Sequence, residues 1–317
     1  MSRTILGLIA GLLSAGALAQ TPLADHHQHG FSGPILALIN AGADGPPAIS
    51  GADIVRHLDD AGIMRATVLS TAYMFGKPGR AVENELAKVR AENDWTIAQA
   101  AQFPDRLVAF CGIAPQKDYA LEEIARCAAN KHVRGIKLHL GNSDIQLENP
   151  EHAARLAQVF AAANRHHLAI VVHMRASFSK KRPYGAEQAR AFIEKVLPAA
   201  PDVVVQVAHM AGTGPGYDDP PSQAVMSVLA DAVARGDSRT KNLWFDVASN
   251  ATDVTPEQAA QLVRHIRQVG TKRILYGSDA ATSSNKPPRE AWAAFRKLPL
   301  TDAEFATIAG NVAPYLR

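Results

Sequence analysis

Apolar runs of five to eight residues recur along the chain, and between them lie stretches whose apolar residues return every three or four positions. The short runs are Leu23–His29, Ala66–Thr71, Leu107–Ile113, Gly135–Leu140, Leu168–Met174, Val203–Met210, Leu243–Val247 and Arg273–Ser278. Rich in Val, Ile and Leu and without polar alternation through their middles, they predict parallel strands covered on both faces. The intervening stretches predict helices with legible ends. Thr255-Pro256-Glu257-Gln258 combines an N-cap, a first-turn proline and a capping-box partner, and Gly270 closes that helix. Thr301 with Glu304 repeats the device, and Ala153–Ala163 and Gln188–Val196 carry helical spacing. Strand and helix in strict alternation predict an α/β protein, a single-domain (β/α)8 TIM barrel. A doubly wound open sheet would announce a glycine-rich turn after the first strand, where this chain has histidines instead.

The start of the chain reads differently. Arg3 precedes an apolar run, Ile5–Ala19, too short to span a bilayer comfortably, and Ala17-Leu18-Ala19 is a small-x-small cleavage pattern. The expectation is a signal peptide at 1–19, cut before Gln20, and an exported barrel domain at 20–317, in a bacterium a periplasmic one. No later run is a membrane candidate. A formal charge of +3 with scattered Lys and Arg argues against a nucleic-acid partner, which needs a concentrated basic face. A small-molecule substrate is the expected partner, and assembly into a homo-oligomer stays open. Cys111 and Cys127 are the only cysteines, so there is no cysteine zinc site. An oxidising compartment would permit a bridge between them, but Cys111 sits in an apolar strand-like run where a buried free thiol is the expected state.

In a TIM barrel the chemistry sits where strands end. The first strand ends in His27-Gln28-His29, the fifth in His173, the sixth in His209 and the eighth in Asp279. By strand parity His27 and His29 point together into the barrel mouth, with Asp25 one step deeper, while His26 and Gln28 point away. Two imidazoles at that spacing, a third from another strand and a carboxylate make a tetrahedral catalytic metal site that leaves room for water.

The ordered motifs resemble the amidohydrolase superfamily, in particular the amidohydrolase-related branch that is similar to aminocarboxymuconate-semialdehyde decarboxylase and dicarboxylate lactonases. Asp25-His26-His27-Gln28-His29 resembles its D-x-H-x-H opening, Gly135-Ile136-Lys137 its fourth-strand G-x-K, Val172-His173 and Ala208-His209 its later histidines, and Gly277-Ser278-Asp279 its closing motif. The resemblance spans residues 20–317. It implies a metal-dependent hydrolase or, less commonly, a non-oxidative decarboxylase. In some branches a fourth-strand lysine is carbamylated and bridges two metals, and Lys137 lies near that position; the branch most resembled uses one.

On this reading one divalent ion, Zn2+, is held by His27, His29, His173 and Asp279. Asp279 moves the proton. His209 hydrogen-bonds the attacking water or the substrate carbonyl, with direct ligation as the alternative. An ester, lactone or amide would be cleaved; decarboxylation would use the same groups. Arg175, Lys137, His139 and Tyr73 are the substrate-contact candidates, Arg175 for a carboxylate. A non-catalytic binding module is the competing class, opposed by the acid/base group Asp279. His57, His132, His152, His166, His167 and His265 receive no chemistry.

Overall fold

A computed structural model describes residues 20–40, 48–280 and 285–317. The expected signal peptide lies outside the described residues. Eight parallel strands run in chain order: β1 (Ala24–Gln28), β2 (Arg65–Leu69), β3 (Leu107–Gly112), β4 (Val133–His139), β5 (Ala169–His173), β6 (Val205–Val207), β7 (Leu243–Asp246) and β8 (Ile274–Leu275). Each return carries helix, which is the (β/α)8 barrel in one domain. Among the described residues no helix is long and apolar enough to cross a membrane.

The capping signals act as the sequence predicts. Thr255 and Thr301 each accept from the backbone N–H three residues on, their Gln258 and Glu304 partners reach back, and the helices Pro256–Val269 and Asp302–Gly310 follow. Ala153–Ala163 lies within the helix Pro150–Arg165, whereas Gln188–Val196 divides into an α-helix, Ala186–Ala191, and a π turn, Phe192–Val196.

Side chains alternate across the barrel wall. Val68, Cys111, Ile136, Leu138, Ile170 and Val172 join the large strand–helix core, while Leu69, Phe110, Ala169, Val171 and Ala208 form a separate cluster. Phe110 and Gly135 explain each other, because a Cβ on Gly135 would lie 2.1 Å from Phe110 Cε1. From the carboxyl-terminal segment Tyr315 packs edge-on against Phe110 at 5.0 Å and donates its hydroxyl to Gln206 Oε1, and Ala313 N donates to His26 Nε2 at 3.1 Å. Cys111 on β3 is bonded to Cys127 on the helix Ala120–Ala128, which corrects the expectation of a free thiol. Apolar burial alone does not distinguish a buried thiol from a buried bridge, and the helix covering β3 brings the two cysteines together.

The seam between β8 and β1 is stitched rather than laddered. His26 N donates to Tyr276 O at 2.9 Å and Asp279 N to His27 O at 2.8 Å. Asp25 accepts from His27 N (3.1 Å), Gln28 Nε2 (2.8 Å), Ser278 N (3.1 Å) and Ser278 Oγ (2.6 Å). Strict parity would send Gln28 away from Asp25. The pairing register of β1 shifts between Asp25 and Gln28, and this irregularity brings the two side chains together.

Candidate metal centre and active site

At the carboxyl-terminal ends of the strands a cavity of about 270 Å³ is lined by His27, His29, Tyr73, Lys137, His139, His173, His209, Asp279 and Asn285, with Thr213–Pro215 at its rim. The structure thus brings together every residue singled out from the sequence except Arg175.

Hydrogen bonds set the imidazole tautomers, because carboxylates and carbonyls only accept. His27 Nδ1–H donates to Asp246 Oδ2 at 3.0 Å, His29 Nδ1–H to Leu69 O at 2.7 Å, and His209 Nδ1–H to Ala248 O at 3.0 Å. All three therefore carry a lone pair on Nε2, the form that binds a cation, and each Nδ1 partner fixes its ring. His27 Nε2 and His29 Nε2 stand 3.8 and 3.5 Å from Asp279 Oδ1. Ligand atoms of His27, His209 and Asp279 all lie within 4.8 Å of one another. His173 Nε2 is buried with no hydrogen-bond partner among the described residues. Converging lone pairs, an orphaned imidazole nitrogen and a carboxylate fit a divalent cation.

His139 has the opposite tautomer. Its Nδ1 accepts from Asn142 N at 3.2 Å, so its proton sits on Nε2. The ring stacks on His173 at 3.9 Å, and Tyr73 lies 5.5 Å from it. His139 is therefore suited to donate to a substrate oxygen.

Burial lowers His29 to about 3 and His209 to about 4, and holds His139 and His173 well below the usual histidine range. Burial also lowers Lys137 to about 8, against the opposing pull of Asp246 and Asp279; its Nζ lies 3.3 Å from His27 Nε2. For Asp246 and Asp279 burial raises the pKa, but the surrounding groups, His27 foremost, outweigh it and hold both below the usual carboxylate range. Burial, then Asp279, pushes the Tyr73 hydroxyl upward, so it stays a donor.

Two of the chemically important residues leave β geometry. His209 has φ 53°, ψ 34°, followed by Met210 at φ 48° and Ala211 at φ 66°, and Asp279 has φ 54°. Left-handed backbone costs a non-glycine residue on the order of 1 kcal/mol. β6 ends at Val207, where the left-handed turn begins, and β8 ends at Leu275, short of the predicted Met210 and Ser278.

Arg175 lies outside the cavity. Its guanidinium pairs with Asp219 at 2.5 Å and sits 3.9 and 4.7 Å from the ring centres of Phe178 and Tyr184. Nearby Lys180 and Arg182 are paired with Asp144. Sequence reasoning passed over Asp246 and Asn285. Asp246 orients His27, accepts from Gln206 Nε2 at 2.6 Å and from His209 N at 2.8 Å. Its signal was present: a lone carboxylate ending the apolar run Leu243–Val247. Asn285 donates to Asp279 Oδ2 at 2.8 Å from a loop position without a pattern to mark it.

The family model described as amidohydrolase matches residues 24–313. The chain belongs to this amidohydrolase family and is an enzyme of that superfamily. No curated protein matches it. Among solved structures it is similar to 5-carboxyvanillate decarboxylase LigW from Sphingomonas paucimobilis, at 16% identity, TM-score 0.62, over 92% of this chain and 97% of that one. It also resembles a probable 2-pyrone-4,6-dicarboxylic acid hydrolase from Acinetobacter baumannii (17%, 0.55, 90% and 95%). A third similar structure is a dihydroxybenzoic acid decarboxylase from Polaromonas sp. with bound manganese (14%, 0.61, 92% and 95%). At these identities the likeness is one of fold.

Proposed function

We propose that the protein is a metal-dependent hydrolase that cleaves an ester, lactone or amide bond in a small carboxylated substrate. The carrying observation is the convergence of His27, His29, His209 and Asp279, with three imidazoles locked in the cation-binding tautomer by their Nδ1 partners. His27, His29, His173 and Asp279 would hold one divalent cation, and a nitrogen-rich set of this kind suits zinc. When bound, the cation supplies an acidified water and a Lewis acid for the substrate carbonyl.

The chain's own groups supply the rest. Asp279, ionised at neutral pH, takes a proton at its carboxylate from the attacking water and returns it to the leaving oxygen or nitrogen. His209 accepts a hydrogen bond at Nε2, which suits the attacking water better than the substrate carbonyl; direct ligation uses the same lone pair. His139 Nε2–H, the Tyr73 hydroxyl and Lys137 are the donors for substrate oxygens. With Arg175 paired to Asp219, Lys137 takes over the carboxylate-binding role, since it is the lysine or arginine among the described residues that line the cavity.

A second reading is non-oxidative decarboxylation, the activity named for two of the similar structures. There the proton would go to the carbon that loses carbon dioxide. Screening lactones, esters and aromatic carboxylic acids in ¹⁸O-labelled water and in D2O separates the two. Hydrolysis places ¹⁸O in a product carboxylate; decarboxylation releases carbon dioxide and places deuterium on carbon. Elemental mass spectrometry of the purified protein should find about one divalent metal per chain. None bound, and none taken up from zinc buffer, would overturn the reading. We also propose export to an oxidising compartment such as the periplasm, supported by the Cys111–Cys127 bond.

A further inference from the structure

The turn Ala208–Ala211 places three consecutive non-glycine residues, His209, Met210 and Ala211, in left-handed backbone. Such residues occupy this region singly when at all, so a run of three needs an external hold. The structure supplies three. Asp246 Oδ1 accepts from His209 N at 2.8 Å, Asn250 Nδ2 donates to His209 O at 3.1 Å, and the Tyr184 hydroxyl donates to Ala211 O at 2.7 Å. The first two arise on or just after β7. Tyr184 comes from the opposite side, on the loop after β5, and closes the far end of the turn.

We propose that Tyr184 is a positioning residue, whose hydroxyl holds the left-handed turn in a conformation its own residues disfavour and thereby aims His209 into the cavity. Tyr184 also flanks Arg175, which is clamped to Asp219 at the start of the helix Pro220–Ala234. Arg175, which pattern alone makes a substrate ligand, thus braces the residue that sets His209. The proposal rests on the reading of His209 as a site residue only in its functional consequence; the strain and its tether stand apart from any reaction.

Two matched substitutions test the strain. Ala208 and Ala211 are both fully buried, and only Ala211 has a positive φ. Ala208→Gly should lower Tm by about 3 °C or more, whereas Ala211→Gly should cost far less or raise it, because glycine relieves the left-handed penalty. Equal losses would overturn the strain. Tyr184→Phe removes only the hydroxyl. Exchange of the Gly212 amide, which donates to His209 O at 2.8 Å, should accelerate at least about tenfold in Tyr184→Phe and slow again in the Tyr184→Phe/Ala211→Gly double variant. No acceleration, or a double variant no slower than the single, would overturn the tether.

Cobalt(II) as a probe adds a signature that general loosening would not restore. Its visible spectrum in the protein should change in Tyr184→Phe and return in the double variant, and an unchanged spectrum in the single variant would overturn the positioning role. A wild type that takes up no cobalt would count against the proposed function, while the stability and exchange results still decide the turn.

Discussion

β1 and the ends of β6 and β8 deliver site residues by opposite means. β1 delivers His27, and His29 follows directly after its end at Gln28, both outside left-handed backbone. β6 and β8 run out first, and His209 and Asp279 follow in left-handed turns. A regular strand aims a side chain through parity, which is local. A left-handed turn aims it only while other elements hold the turn, so precision on that side is borrowed from Asp246, Asn250 and Tyr184.

Removing a group from either side should have the largest effect. His27→Ala on β1 and Asp279→Asn after β8 should each reduce bound metal well below one equivalent, and Asp279→Asn should lower kcat by a factor on the order of 10²–10⁴. Elemental analysis with kinetics on the substrate found by the screen checks both; metal content unchanged in both variants would refute the centre. Asp246→Asn strikes the two sides at once, since the carboxylate holds the His27 ring and the His209 amide. Metal affinity should fall about 10–100-fold, read by competition with a chelator.

Asp25→Ala sharpens the contrast by loosening the β8–β1 seam while leaving the holds on the β6 turn in place. It leaves the donors of Gln28, Ser278 and His27 N without their buried acceptor, and should cost about 2–3 kcal/mol, seen as a lower urea midpoint at unchanged slope. The smallest effect belongs to the rim of the β5 loop. The Arg182 hydrogen bonds, with help from Lys180, hold Asp144 down to about 2. A depressed carboxylate contributes stability above its unfolded value of 3.8 and loses it as pH falls through about 2. Because these partners are partly solvated, Asp144→Asn should cost less than about 1 kcal/mol at neutral pH, a difference that shrinks on acidification.

The same contrast marks what the chain discloses before it folds. Eight strands, their order and the capped helices are local patterns, and His27 and His29 follow from parity. His173, His209 and Asp279 were legible as residues at strand ends, but not the left-handed turns that orient the last two, because the sign of φ there depends on partners distant in sequence. Arg175 shows the reverse. A cation beside the site reads as a substrate ligand until Asp219, 44 residues away, is seen to engage it. Cys111 is a further case, since its state depends on a helix packed over β3.

The floor of the barrel has a consequence for how the molecule is made. Ala313 and Tyr315 contact His26 and Gln206, so the first strand waits for a bond with a residue synthesised 287 positions later. Until those residues leave the ribosome, His26 lacks its backbone donor and the base of the barrel stays open. Removing the segment from Ala313 to Tyr315, or displacing Tyr315 with a bulkier neighbour, would leave that base unfinished with all eight strands in place.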